Sequence, residues 1–190
     1  MQRVMVIGAS GAGKSTLARR IGTALGLPVI HLDREFWRPG WVEPDADEWL
    51  ERLDALAARE CWVIDGNQSR GWGFRLARAD AIVWLDLPRR VYFTRAVLRS
   101  LRNLGRERAD IGPGCPERID LKFLAHWVWR YPVRARPRTI ATLDRVRNEK
   151  RVFILRSTTD VRVFEAGLPA SLTGIAESAA TGPIAFRPPT

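Results

Sequence analysis

Residues Gly8, Ala9, Ser10, Gly11, Ala12, Gly13, Lys14, Ser15 and Thr16 form the pattern G-x-x-x-x-G-K-[ST], with glycines, one lysine and one hydroxyl at fixed spacing. The chemistry is phosphate binding. Glycines let the backbone bend so that successive N–H groups point at phosphate oxygens, and a helix opening near Lys14 adds its positive end. Lys14 would then reach the β- and γ-phosphates of a nucleoside triphosphate, and Ser15 would ligate Mg²⁺. The lysine itself is informative, because the chain has 28 arginines and only three lysines, Lys14, Lys122 and Lys150. A compact ammonium fits between phosphates where a planar guanidinium does not.

Three carboxylates close apolar runs: Asp33 in Val29-Ile-His-Leu-Asp33, Asp65 in Trp62-Val-Ile-Asp65, and Asp86 in Ile82-Val-Trp-Leu-Asp86. Open α/β sheets bind ligands at the carboxyl ends of their strands. Asp65 could hold Mg²⁺ through water or orient a phosphoryl acceptor if its strand lies beside the first. Asp86 is its rival, but Asp65 is favoured because Gly66-Asn67 leaves room for a ligand, whereas Asp86 runs into Leu87-Pro88 and a new helix. Asp33 fits either an acceptor-gripping carboxylate or a helix cap. Phe36, Trp37 and Trp41 read equally as an aromatic wall for a base or sugar and as core. His31 and His126 read as packing residues. Arg95, Arg99 and Arg102, with Arg89 and Arg90, precede a Gly/Pro-rich stretch, where an arginine swinging in could neutralise the transferred phosphoryl. A surface stripe is the alternative for them.

Five apolar strands are expected to position these groups: Arg3 to Ile7, Pro28 to Leu32, Cys61 to Asp65, Ala81 to Asp86 and Arg151 to Leu155. Helical periodicity separates them, which implies right-handed βαβ units and a parallel sheet covered on both faces. Asp45 to Glu60 reads as a helix burying Trp49, Leu53 and Leu56. Val91, Leu98 and Leu101 are expected to form the buried stripe of the helix after strand four, with Arg95, Arg99, Arg102 and Arg106 beside it. Gly105 to Pro116 reads as a mobile loop. Helical stretches from Ile119 to Tyr131 and from about Arg138 to Asn148 follow. The insertion is the expected lid, and Gly167 onward reads as a frayed tail.

At 190 residues, 46% hydrophobic and 27% charged, the chain suits one globular domain. Two cysteines and no signal-like or membrane-spanning run favour a reducing cytoplasm and no membrane partner. The net charge of +10 is unevenly placed. Residues 89 to 151 carry 15 Arg, two Lys and six acidic side chains, and the rest of the chain sums to −1. That segment fits either a surface for polyanions, nucleic acid among them, or a solvated helical face.

The chain resembles P-loop kinases of the nucleoside monophosphate kinase type, and more closely the adenylate-kinase-like "DNA topology modulation protein" family. Gly8 to Thr16, His31-Leu-Asp33, Phe36 to Trp41, Trp62 to Asn67, Trp84 to Arg89 and Gly112-Pro-Gly-Cys-Pro-Glu117 carry the resemblance. It implies a three-layer α/β fold with a five-stranded parallel sheet in the order 2-3-1-4-5, an ATP site at the loop and a helical lid at about 103–134. The kinase domain would cover 1–165 and the tail 166–190. Related kinases carry a Pro-Arg pair after Asp-Gly, where this chain reads Asn67-Gln-Ser-Arg70. The function expected is ATP- and Mg²⁺-dependent phosphoryl transfer, with Lys14, Asp33, Asp65, Arg95 and Arg99 as catalytic residues and Ser15 and Asp65 on the metal; the alternative is nucleotide-regulated nucleic-acid binding.

Overall fold

A computed structural model describes residues 2–68 and 70–168. Its strands are β1 (Arg3–Gly8), β2 (Val29–His31), β3 (Trp62–Asp65), β4 (Ala81–Leu85) and β5 (Arg151–Leu155), all parallel in the order β2-β3-β1-β4-β5. Each expected strand is present, within two residues at either end. Helices α1 (Lys14–Leu25), α2 (Leu32–Phe36), α3 (Ala46–Ala57), α4 (Trp72–Arg78) and α5 (Arg89–Arg102) alternate with them. A π-helix (Phe123–Trp129), α6 (Tyr131–Arg134) and α7 (Arg136–Val146) precede β5, and α8 (Thr158–Ala166) follows it.

The strands are apolar on both sides, as a doubly covered parallel sheet demands. Val4, Val6, Val63, Val83 and Leu85 pack with Leu17 and Ile21 of α1 and Tyr92 and Ala96 of α5. Met5, Ile7, Ile64, Ile82 and Trp84 face the other way, onto Trp49, Leu53 and Leu56 of α3 and Leu143 of α7. Each of those large apolar side chains contributes roughly 1.5–3 kcal/mol by leaving water. Asp45 caps α3, accepting from the backbone N–H groups of Asp47 and Glu48.

The stripe expected on α5 is different. Leu98 and Leu101 are 41% and 53% exposed, and the helix instead buries Tyr92, Ala96 and Ser100. The reason lies in the phosphate loop. Gly11 sits at φ +84°, and a Cβ there would lie 2.1 Å from the Tyr92 carbonyl oxygen and 2.8 Å from the Ala96 nitrogen. Backbone packs on backbone there, so the turn of α5 that meets Gly11 carries the small Ala96 rather than a leucine. The tail expected over 166–190 falls almost wholly outside the described residues; Ala166 ends α8. Among the described residues no helix is long and apolar enough to cross a membrane.

Candidate active site

The strand order puts β3 against β1, with Asp65 paired in register to Val6 on one side and to His31 on the other. Asp65 therefore emerges beside the phosphate loop. Its carboxylate is almost fully buried, and its Oδ1 lies 2.5 Å from Nδ1 of His31. His31 is thus a polar partner of the site, correcting its reading as packing. His126 is corrected as well, since it is exposed on the π-helix with its ring edge against Trp127.

Between β1 and α1 the loop runs as expected, with Gly13 as the helix N-cap and Lys14 as its first residue. Lys14 Nζ donates to the Ala9 carbonyl at 3.0 Å. Burial pulls the Lys14 pKa below its ordinary value, against the attraction of Asp33 and Asp65. Asp33, the second residue of α2, has its pKa raised, first by burial and then by Asp65, with Lys14 opposing. An ammonium and two carboxylates therefore share one partly dehydrated space. Arg99 of α5 reaches the same loop, its Nη2 donating to Ser10 Oγ at 3.2 Å. Burial, then the nearby Arg108, lowers its pKa. Arg95 is exposed on α5, as is Arg102.

Two residues that sequence reasoning missed hold the Asp65 corner. Asn67 accepts the Gly8 N–H on its side-chain oxygen at 3.0 Å, tying the end of β3 to the start of the loop. Arg75 of α4 is wholly buried and donates to the carbonyls of Gly66 at 3.0 Å and Gln68 at 2.6 Å. Burial lowers its pKa to about 9, with Asp65 opposing. An arginine on a short helix gives no periodic signal of such a role. Asp86, the rival carboxylate, is committed elsewhere, accepting two hydrogen bonds from Arg136 of α7 at 2.8 and 2.9 Å.

The Gly105 to Pro116 segment is docked onto the aromatic loop after Asp33. Gly40 N–H donates to Gly114 O at 2.8 Å, Trp41 Nε1 to Pro116 O at 2.9 Å, and Arg34 Nη1 to Ala109 O at 2.8 Å. The buried Cys115 thiol points at the Arg38 carbonyl, 3.0 Å away. Gly112 lies so close that a Cβ would be 1.9 Å from the Trp37 carbonyl oxygen. Phe36, Trp37, Trp41 and Trp49 form an edge-to-face chain across this junction. Trp41 has φ +64°, a left-handed conformation rare for a bulky residue, and it carries the Arg118 guanidinium 5.5 Å above its ring. This docking brings in Arg108 and Asp110, also missed in the sequence. Arg108 bridges Asp110 at 3.1 Å and the buried Glu117 at 2.7 Å, and Glu117 accepts from Ser100 of α5 at 2.7 Å. Burial works against the charge of Asp110, but Arg108 and the Ser15 hydroxyl more than offset it, leaving its pKa lowered.

A glycine loop with Lys14 and Ser15 at the head of α1, in a 2-3-1-4-5 parallel sheet, defines an α/β protein with a phosphate-binding loop. No protein-family model matches the chain. Two cytidylate kinases from strains of Nitratidesulfovibrio vulgaris are 47% identical to it over 58 residues, 28% of this chain and 25% of theirs. The similarity thus spans a quarter of those relatives' length. Among solved structures, a gluconokinase from Sinorhizobium meliloti matches with a TM-score of 0.48 and 21% identity, covering 90% of this chain and 95% of that one. A shikimate kinase from Acinetobacter baumannii, in complex with shikimate, matches with a TM-score of 0.49 and 15% identity over 90% and 93%.

Proposed function

We propose that the protein is an ATP- and Mg²⁺-dependent phosphotransferase acting on a small acceptor. One observation carries the reading: Lys14, at the head of α1, lies within the electrostatic reach of Asp33 and Asp65, while Arg99 donates to Ser10 of the same loop. A phosphoryl donor needs the ammonium and guanidinium, and an acceptor hydroxyl needs a carboxylate on the far side. The donor set fits the metal, since Ser15 follows Lys14 and buried Asp65 stands at the neighbouring strand end. Mg²⁺ would neutralise charge on the β- and γ-phosphates. The chain's own residues do the rest. Backbone N–H groups of the loop after Gly8, whose own N–H is given to Asn67, bind the phosphates, Lys14 bridges them, and Arg99 meets charge developing on the transferred group. Asp33 accepts the acceptor's proton, Asp65 would hold the metal through water, and Arg95, exposed one turn before Arg99 on α5, is a second arginine proposed for the transferred group.

Membership of the DNA topology modulation family, a lid at about 103–134 and a cytoplasmic location belong to the same proposal. The cytidylate kinases matched over 58 residues and the aromatic loop beside Asp33 support a nucleoside-like acceptor. The arginines of 89–151 are in good part used within the fold, on Ser10, Asp86, Asp110, Glu117 and the Trp127 and Trp129 rings. A nucleic-acid partner draws little support from them. The test is an acceptor screen reading ADP release, with Lys14→Ala as control. Release stimulated by an acceptor and lost in Lys14→Ala, with circular dichroism unchanged, is the expected result; activity that survives the substitution overturns the reading.

A further inference from the structure

We propose that the cleft at the C-terminal ends of β4 and β5 is a second anion site, taking the phosphate group of a small ligand apart from the loop at Lys14. It does not depend on the kinase reading.

The cleft encloses about 350 Å³, walled by Asp86 and Pro88 where β4 leads into α5, by Tyr131 and Arg136 ahead of β5, and by Arg156 just after it. Three arginines converge there, Arg89, Arg136 and Arg156, with a single carboxylate. Asp86 does not cancel all three, because both its oxygens are taken by Arg136 at 2.8 and 2.9 Å. Two guanidiniums remain. Arg89 rests over the Trp129 ring at 4.8 Å, a contact that uses the face of the guanidinium and leaves the N–H groups at its edge. The Arg156 side chain makes no hydrogen bond or ion pair among the described residues, its backbone N–H alone donating to Asp160.

Two further groups ask for an oxygen acceptor. Tyr92 is 2% exposed, and its hydroxyl is buried without a hydrogen-bond partner. A buried donor left unmade is destabilising, and an oxyanion seated in the cleft would accept it. Burial raises the hydroxyl's pKa, with Arg89 opposing, so the donating form is the one held there. In addition, α5 opens at Pro88 with no side-chain cap and no acidic residue in its first turn, which leaves its positive end to the cleft that Pro88 and Arg89 line. Several donors set around one cleft suit the oxygens of a phosphate better than the two of a carboxylate.

Tyr92 also divides this cleft from the nucleotide loop. Its carbonyl oxygen abuts Gly11, where a Cβ would lie 2.1 Å away, while its ring packs in the cleft beside Tyr131, centroids 6.0 Å apart. The two phosphate sites are therefore neighbours with a backbone between them.

The experiment follows thermal unfolding of the full chain against inorganic phosphate and, separately, glycerol phosphate, at constant ionic strength. It compares the unaltered protein with Tyr92→Phe, Arg156→Gln and Lys14→Ala. Phosphate is expected to raise the melting temperature of the unaltered chain and of Lys14→Ala alike. The half-effect concentration should rise about tenfold or more in Tyr92→Phe and in Arg156→Gln, the scale of one lost hydrogen bond to a charged group. Without ligand, Tyr92→Phe should melt no lower than the unaltered chain, since the unpartnered hydroxyl is gone; Arg156→Gln serves if it does not fold. A stronger response to glycerol phosphate assigns a phosphate ester, and a stronger one to inorganic phosphate assigns the free ion. No response to either probe, a half-effect concentration unchanged in either folded cleft variant, or a response lost in Lys14→Ala overturns the proposal.

Discussion

Asp33 and Arg75 both place charge where water is scarce, and each has a measurable consequence. The raised pKa of Asp33 means that the fold favours its protonated form. Its contribution is therefore fully favourable below the unfolded carboxylate pKa of about 4 and is lost as pH rises through the raised value. Asp33→Asn should accordingly raise the melting temperature at pH 7, by about 2–4 °C for each kcal/mol gained. The gain should vanish on acidification, when the native carboxyl is neutral too. The proposed phosphoryl transfer should be lost in the same variant, so thermal unfolding across pH and ADP release together check the trade. Arg75 behaves oppositely. Its guanidinium is wholly buried, but it supplies the donors for the Gly66 and Gln68 carbonyls. Arg75→Met leaves both carbonyls without those partners and should cost about 2–4 kcal/mol in urea unfolding. Nucleotide affinity should fall with it, because Asn67 and Gly8 hang on the same turn.

Among the elements, the five strands, α1 and α3 were legible in the sequence because their signals are local. Short apolar runs mark the strands, Asp65 closing β3, and the glycine loop marks the turn into α1. The α5 stripe was not legible, because its buried side is chosen by the close approach of Gly11 to Tyr92 and Ala96, a contact 81 to 85 residues away in the chain. Arg108 and Asp110 were missed for a related reason. Nothing within Gly105 to Pro116 signals docking; the partners are the Arg34 guanidinium, the Gly40 N–H, the Trp41 indole N–H and the Arg38 carbonyl. That contact can be tested at Gly112, where a Cβ meets backbone oxygen and cannot be accommodated by a side-chain shift. Gly112→Ala should leave the sheet intact by circular dichroism, while the 105–117 segment becomes several-fold faster to cleave in limited proteolysis. Unchanged cleavage would show that the two loops do not depend on each other.

At the scale of the whole molecule, the basic segment is integrated into the fold at one buried end. Arg136 brings α7 onto the C-terminal end of β4 through Asp86, whose carboxylate is only 6% exposed, although Arg136 itself is 40% exposed. Because solvent screens the arginine side, Arg136→Ala should cost about 1–3 kcal/mol, less than a fully buried pair, when measured by urea unfolding. The insertion and the aromatic loop meet along one seam, and Cys115 lies sealed within it, 1% exposed against the Arg38 carbonyl. The chain's other thiol, on Cys61, is only half-buried. A thiol reagent should therefore label Cys61 first, and the lag before Cys115 reacts would be a clock for how often the seam parts. A ligand that holds the seam shut should lengthen that lag, so the protein carries its own clock for the docking of these two loops.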